Sequence, residues 1–156
     1  MGFFSPSSSD DEWILAITPI CQQAKEVAEL LDESLQRKDF ENEGLTLGEI
    51  TQVFPSLRDS LRHVPSPTSR PARQAKKSLE DALKEYAYGA DLGLKYIRDM
   101  QNGLAMRVMA GGVNGRAAAS RASFQKSLYL QTLALAQEQL YAAARFLEGT
   151  GVEEHP

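Results

Sequence analysis

The side chains best suited to chemistry in this 156-residue chain are four carboxylates that lie close together near its beginning. They are Glu26, Glu29, Asp32 and Glu33, at separations that fit a helix surface. Carboxylate oxygens are the ligands that hard divalent cations prefer, provided that several of them converge on the ion. The spacing alone does not establish such convergence, so we interpret these residues as a solvated acidic face.

The segment Glu26-Val-Ala-Glu29 resembles one half of the acidic pattern with which all-α nucleotide pyrophosphatases of the MazG type bind magnesium. The resemblance implies a Mg²⁺-dependent nucleotide hydrolase, which we keep as a third hypothesis. A matching Glu-x-x-Asp on a later helix, the second half of the pattern, is absent. The acidic residues of the later chain stand at other spacings: Glu80, Asp81, Glu85 and Asp91.

Histidine and cysteine are too few for other common reaction centres. Neither His63 nor His155 is part of a Glu-x-x-His pair of the kind that builds di-iron sites in helical bundles. Zinc sites need more Cys and His than the chain holds. The single Cys21 falls on the apolar stripe of a predicted helix, where cysteine usually acts as an inert core residue. We expect no cofactor and no metal site, and the sequence favours a non-catalytic protein.

A glycine-rich turn and four basic residues form a candidate site for an anion or a partner. The turn, residues 111–115, precedes a predicted helix whose free N–H groups and dipole favour an anion. It lacks the spacing and the Lys-Ser/Thr ending of a Walker phosphate-binding loop. Our main interpretation is a plain helix–helix turn, with anion binding as the alternative. The residues that would supply the charge are Arg107, Arg116, Arg121 and Lys126.

Two glycines and five tyrosines indicate a second candidate site, between the third and fourth predicted helices. Gly89 and Gly93 stand one turn apart beside an apolar stripe, and each costs about 1 kcal/mol relative to alanine in a helix interior. Close approach of another helix would offset that cost, and we prefer this packing interpretation to a ligand lying on bare backbone. The tyrosines would either pack or line a pocket there: Tyr86, Tyr88, Tyr96, Tyr129 and Tyr141.

Helices must position all of these residues, because apolar side chains recur at steps of three and four in four segments. The first helix is predicted to start at the capping-box sequence Ser9–Glu12 and to keep its phase through Pro19, with a kink there. The second is predicted to start at Thr46–Glu49 and to be broken or kinked at Pro55. The third, residues 72–108, is the longest, and the fourth runs over residues 116–147.

These segments predict an all-α fold, an antiparallel, up-and-down-like bundle of four principal helices with kinks at Pro19 and Pro55. We expect residues 10–148 to form a single domain, with a proline-rich linker at 63–71. Residues 1–9 and 149–156 are predicted to be flexible. No internal repeat and no convincing strand pattern is present.

Composition and charge restrict the classes of partner. The net charge is −4, yet residues 1–64 hold 5 Lys and Arg against 12 Asp and Glu, whereas residues 65–148 hold 12 against 7. An acidic pI of about 5.2 without a recognisable reading module argues against nucleic acid. No run approaches the roughly 20 apolar residues of a membrane span, and peripheral attachment through Phe3, Phe4 and four scattered cations would be weak. A cytoplasmic location is predicted, since one cysteine cannot form an internal disulfide.

Three functions remain open from the sequence. The first is a non-catalytic helical bundle that binds a protein partner or forms a homo-oligomer, because long amphipathic helices are combined with no catalytic constellation. The second is a sensory bundle that binds a small molecule or an anion between the third and fourth helices. The third is the Mg²⁺-dependent nucleotide hydrolase.

Overall fold

The chain folds as an all-α helical bundle. The computed structural model describes the backbone of residues 8–37, 41–42, 45–110 and 112–154, and side chains within 11–37, 47–100, 120–121 and 123–148. Four helices make up most of this described part: α1 (Ser8–Arg37), α2 (Leu47–Arg62), α3 (Arg70–Ala110) and α4 (Gly112–Glu154). At about 1.5 Å per residue, the 41 residues of α3 extend roughly 60 Å.

Helix α1 continues through Pro19, as the unbroken phase of its apolar stripe predicts. The Thr18 hydroxyl donates a hydrogen bond to the carbonyl oxygen of Ile14 at 2.6 Å, in the turn that precedes the proline. Helix α2 likewise continues through Pro55 and is not broken there. Whether either proline bends its helix stays a prediction.

The proline-rich linker is shorter than the sequence predicts, because α2 ends at Arg62 and α3 begins at Arg70. Ser69 caps α3: its hydroxyl oxygen accepts from the backbone N–H of Ala72 at 3.3 Å, and its carbonyl accepts from that of Arg73 at 3.0 Å. Pro71 is tolerated in this first turn, where a missing N–H leaves no helical acceptor unpaired.

Contacts between α3 and α4 follow opposite chain directions. A Cβ built on Gly89 would contact Leu133, the ring of Tyr96 packs on Tyr129, and the Gln125 amide donates to the Asp99 carboxylate at 2.8 Å. Residue numbers therefore fall along α4 as they rise along α3. In each pair, the residue of α3 lies nearly as many positions before the α3–α4 junction as the residue of α4 lies after it, as in a helical hairpin. The up-and-down order of the whole bundle remains a prediction.

The core is built from the apolar stripes of all four helices. Trp13 and Phe54 are its largest fully buried side chains, and Trp13 meets Phe146 of α4 edge to face with ring centres 6.1 Å apart. The buried apolar residues of α1 recur at the steps of three and four that the sequence predicts: Trp13, Ile17, Ile20, Cys21, Ala24, Val27, Leu31 and Leu35. Those of α3 include Ala72, Ala75, Leu79, Ala82, Leu83, Tyr86, Ala90, Leu94 and Ile97.

Three local expectations differ from the structure. The connection after α1 contains a small antiparallel ladder, β1 (Glu41–Asn42) and β2 (Leu45–Thr46), where no strand was expected. Helix α4 starts earlier than residue 116 and extends beyond 147, to Glu154. Most of the predicted flexible segment 1–9 lies outside the described residues, as do residues 155–156. Helical backbone covers residues 149–154 of the predicted tail.

Candidate partner-binding groove

Helix α4 packs far more extensively on α3 than on α1. An open groove with a volume of about 430 Å³ remains between α1 and α4. Such a volume lies within the range of sites that hold small ligands or anchoring side chains. We call it the α1–α4 groove.

Apolar side chains from three helices form the floor of the α1–α4 groove. Helix α1 contributes Leu31, α3 contributes Tyr86, and α4 contributes the rest: Leu130, Leu133, Leu140 and Tyr141. Leu130 is 48% exposed and Tyr141 is 60% exposed. Leu130 and Tyr141 are thus two large apolar side chains left uncovered on the same side of α4, at the two ends of the apolar floor.

Charged side chains at the rim of the groove are mostly acidic. Glu29 and Asp32 of α1 and Glu148 of α4 line it, against one cation, Lys25. Neither Glu29 nor Glu148 forms an ion pair with another described residue, while Asp32 accepts a hydrogen bond from the Gln36 amide at 3.2 Å. The rim therefore presents uncompensated negative charge above an apolar floor.

Tyr86 links the groove to the core. Its ring stacks on Phe54 of α2, with centres 5.1 Å apart and planes 14° from parallel. Burial, assisted by the negative charge of Asp32, raises the pKa of Tyr86 to about 12. The phenol is therefore neutral at physiological pH and is able to donate a hydrogen bond, but it is not a base.

Of the glycines and tyrosines considered between α3 and α4, Tyr86 and Tyr141 line the α1–α4 groove, and the others do not. A Cβ on Gly93 would lie 2.6 Å from Leu35 Cδ2, so the two glycines allow close helix packing, which confirms the preferred interpretation. Tyr96 and Tyr129 pack on each other with ring centres 5.4 Å apart. Tyr88 is 52% exposed on α3 and does not line the α1–α4 groove.

Only part of the predicted basic site can be placed. The side chains of Arg107 and Arg116 lie outside the described residues. Arg121 and Lys126 are both exposed on α4, and Phe124 between them is 70% exposed. None of these three residues lines the α1–α4 groove. Their role in binding an anion or a partner stays a prediction.

The candidate reaction groups are not gathered into a centre in the described part of the chain. Among the described side chains, no three His, Cys, Asp or Glu residues are placed to hold a metal ion. Glu26 and Glu33 are exposed, as a solvated acidic face predicts. Cys21 is buried, and burial raises the pKa of its thiol, opposed in part by the positive charge of Lys25.

The sequence indicates a candidate pocket only between the third and fourth helices and does not predict the groove beside α1. Leu130 follows Tyr129 and points about 100° away from it on the helix; Tyr129 is 3% exposed, whereas Leu130 is 48% exposed. The available signal was that α4 is apolar on more than one side. A helix of that kind needs cover on more than one side.

The fold and the groove define a class of protein, an all-α helical bundle with an open, acid-rimmed apolar groove. No protein-family model, curated protein or solved structure significantly matches the chain. Within the described helices, none combines the length and apolar character needed to cross a membrane.

Proposed function

We propose that this protein is a non-catalytic helical bundle that binds another protein in the α1–α4 groove. The observation that carries the proposal is the pairing of an apolar floor with the exposed Leu130 and Tyr141 at its edge. Exposed apolar side chains around a concave apolar surface are typical of interaction sites. Aromatic residues such as tyrosine are enriched where binding energy concentrates in protein interfaces.

A site-specific cross-linking experiment tests this proposal. The photoreactive analogue p-benzoylphenylalanine would replace Tyr141 in the full chain, produced in its own cells and irradiated there. The matched control carries the same analogue at Tyr88, a tyrosine of similar exposure on α3 and outside the groove. We expect a discrete protein adduct from position 141 and none of that mass from position 88.

The mass of the adduct shows whether the cross-linked molecule is a different protein or a second copy of this chain. An adduct with a different protein supports partner binding, and one with a second copy of this chain assigns the groove to self-association. Loss of the adduct when Leu133→Asp is added would locate the contact on the groove floor. No adduct at position 141, or equal adducts at 141 and 88, would overturn the proposal.

A small-molecule or sensory role is the second candidate, and the volume of about 430 Å³ favours it. The acidic rim favours a neutral or cationic ligand over an anion. Equilibrium dialysis against a set of apolar neutral and cationic compounds distinguishes this role, because a saturable ligand would be lost in Leu133→Asp. A Mg²⁺-dependent nucleotide hydrolase would need converging acidic side chains, and among the described side chains none converge. Phosphate release from nucleotides with Mg²⁺ would test it directly.

A further inference from the structure

The charge around the α1–α4 groove restricts the chemistry of what occupies it. We infer that the partner presents a basic amphipathic helix, an inference that rests on the proposed function and adds the partner's charge and shape to it. The argument has three parts: the length of the floor, the sign of the rim, and the geometry that a second copy would require.

The floor is long enough for the apolar side of a helix. From Leu130 to Tyr141 it extends about 16 Å along α4 at roughly 1.5 Å per residue. A docked amphipathic helix places anchors at positions i, i+4 and i+7, which span about 10 Å along its axis. Three anchors therefore fit between the two ends of the floor.

The charges at the rim of the groove favour basic residues at the positions of the docked helix that flank its apolar anchors. Three carboxylates, Glu29, Asp32 and Glu148, line the groove together with one cation, Lys25. Glu29 and Glu148 form no ion pair with a described residue. The exposed Glu26 adds negative charge further out on α1. A helix with lysine or arginine beside its apolar anchors would compensate these charges, whereas an acidic helix would bring like charges together.

One nearby cation does not reverse this sign. The guanidinium carbon of Arg145 lies 5.0 Å from the ring centre of Tyr141, and Arg145 does not line the groove. Its charge is placed over an aromatic face at the outer edge. The groove itself keeps its excess of carboxylates.

A second copy of this chain is a poorer occupant than a separate partner. In the described part of α4, the exposed basic-apolar segment is Arg121, Phe124 and Lys126, which lies outside the groove. Docking that segment of one copy into the groove of another joins two different surfaces. Such a heterologous contact builds rings or open filaments, not a simple dimer.

Designed peptides test the inference with the intact protein. The probe is an 18-residue fluorescent peptide with leucine at i, i+4, i+7 and i+11 and lysine at the flanking positions. One control peptide replaces every lysine with glutamate, and a second keeps the lysine composition but distributes the leucines around the helix. In fluorescence anisotropy we expect the amphipathic basic peptide to bind at least about tenfold more tightly than either control.

Charge-reversal variants locate the preference. In Glu29→Lys with Asp32→Lys we expect the preference for the basic peptide to fall at least about tenfold, with the acidic peptide gaining. The matched control is Asp59→Lys, an exposed acid on α2 outside the groove, which should leave the affinities unchanged. Circular dichroism checks that each variant keeps its helical content.

The outcomes separate this inference from the proposed function. Equal binding of the acidic peptide, or of the peptide with distributed leucines, overturns the inference. Failure of all three peptides to bind also overturns the inference. The formation of filaments or rings by this chain, if it is lost when Tyr141 is replaced, overturns it as well. In each case an adduct from position 141 would still support protein binding in the groove, whereas absence of any adduct overturns both.

Discussion

Gly93 of α3 lies directly against Leu35 of α1, so that a Cβ on the glycine would stand 2.6 Å from Leu35 Cδ2 and 3.0 Å from Cδ1. Leu35 is 4% exposed and has no open space into which to turn. The contact accounts for a glycine in the interior of a long helix, where alanine would be favoured by about 1 kcal/mol if nothing stood beside it.

Alanine at the two close-packed glycines of α3 should have different effects. Gly93→Ala should lower the free energy of unfolding by about 1–3 kcal/mol, because the new methyl group overlaps a buried leucine. The methyl group of Gly89→Ala also meets a leucine, with Leu133 Cδ2 at 2.7 Å, but Leu133 is half-buried and its side chain lines the open groove, into which it is able to rotate. We expect it to be close to neutral. Urea denaturation measures both, and equal stabilities of the two variants would contradict this account.

The thiol of Cys21 should be protected in the folded protein. It is 2% exposed, and its raised pKa leaves less thiolate, the reactive form, at neutral pH. We expect reaction with a disulfide reagent such as DTNB at pH 8 to be at least about 100-fold slower in buffer than in denaturant. Because the chain holds one cysteine, the absorbance change reports this residue alone. Rapid stoichiometric reaction of the native protein would show that the site opens.

Tyr86 should make the fold sensitive to alkaline pH. Its pKa is about 12 when folded and about 10 when unfolded, so the folded state holds the phenolic proton more tightly. The corresponding stability is present below pH 10 and is lost as the pH rises from about 10 to about 12. With about 1.4 kcal/mol per pKa unit, the loss is about 2–3 kcal/mol.

The control for this pH effect is Tyr86→Phe, which keeps the ring that stacks on Phe54. We expect its free energy of unfolding to fall less than that of the wild type between pH 9 and 12, by about the same 2–3 kcal/mol. Asp32→Asn should lower the pKa of Tyr86 only in part, since burial is the larger cause. Parallel pH profiles of wild type and Tyr86→Phe would refute the assignment.

Ser34 is a buried polar residue of α1. Its side chain is fully buried, and its hydroxyl oxygen has no hydrogen-bond partner among the described residues. A buried hydroxyl without a partner costs about 1–3 kcal/mol. We therefore expect Ser34→Ala to raise the free energy of unfolding by about 1–2 kcal/mol.

A second serine separates burial from helix propensity. Ser56 of α2 is exposed and donates to the carbonyl of Gln52 at 3.2 Å, so Ser56→Ala reports mainly the propensity gain of about 0.5 kcal/mol. Ser34→Ala should exceed it in thermal or urea denaturation. A smaller gain for Ser34→Ala would mean that its hydroxyl is solvated or bonded in solution.

The core could be predicted from the sequence because it depends on local periodicity. The eight buried apolar residues of α1, from Trp13 to Leu35, follow from steps of three and four alone. The cap at Ser69 was not predicted, although α3 begins at Arg70, two residues before the predicted start at residue 72. The packing role of Gly89 and Gly93 was also predictable, since glycine in a helix interior needs a compensating contact.

The groove could not be predicted, because it depends on distances between helices that are far apart in sequence. Nothing in the apolar pattern of α4 says how closely it packs on α1. The sequence therefore predicts that Tyr141 packs or lines a pocket beside α3, whereas in the structure it lines the groove between α1 and α4. The candidate site follows from tertiary packing, and no feature of the sequence alone locates it.

The edge-to-face contact of Trp13 with Phe146 joins the first turns of α1 to the last turns of α4, across nearly the whole chain. Bringing such distant segments together costs more chain entropy than closing the α3–α4 hairpin, where contacting residues are near in sequence. We therefore expect the hairpin to assemble first and α1 to dock late, which would make this contact the slowest step in folding. The groove, which needs α1 in place, would then be completed only in the fully assembled protein.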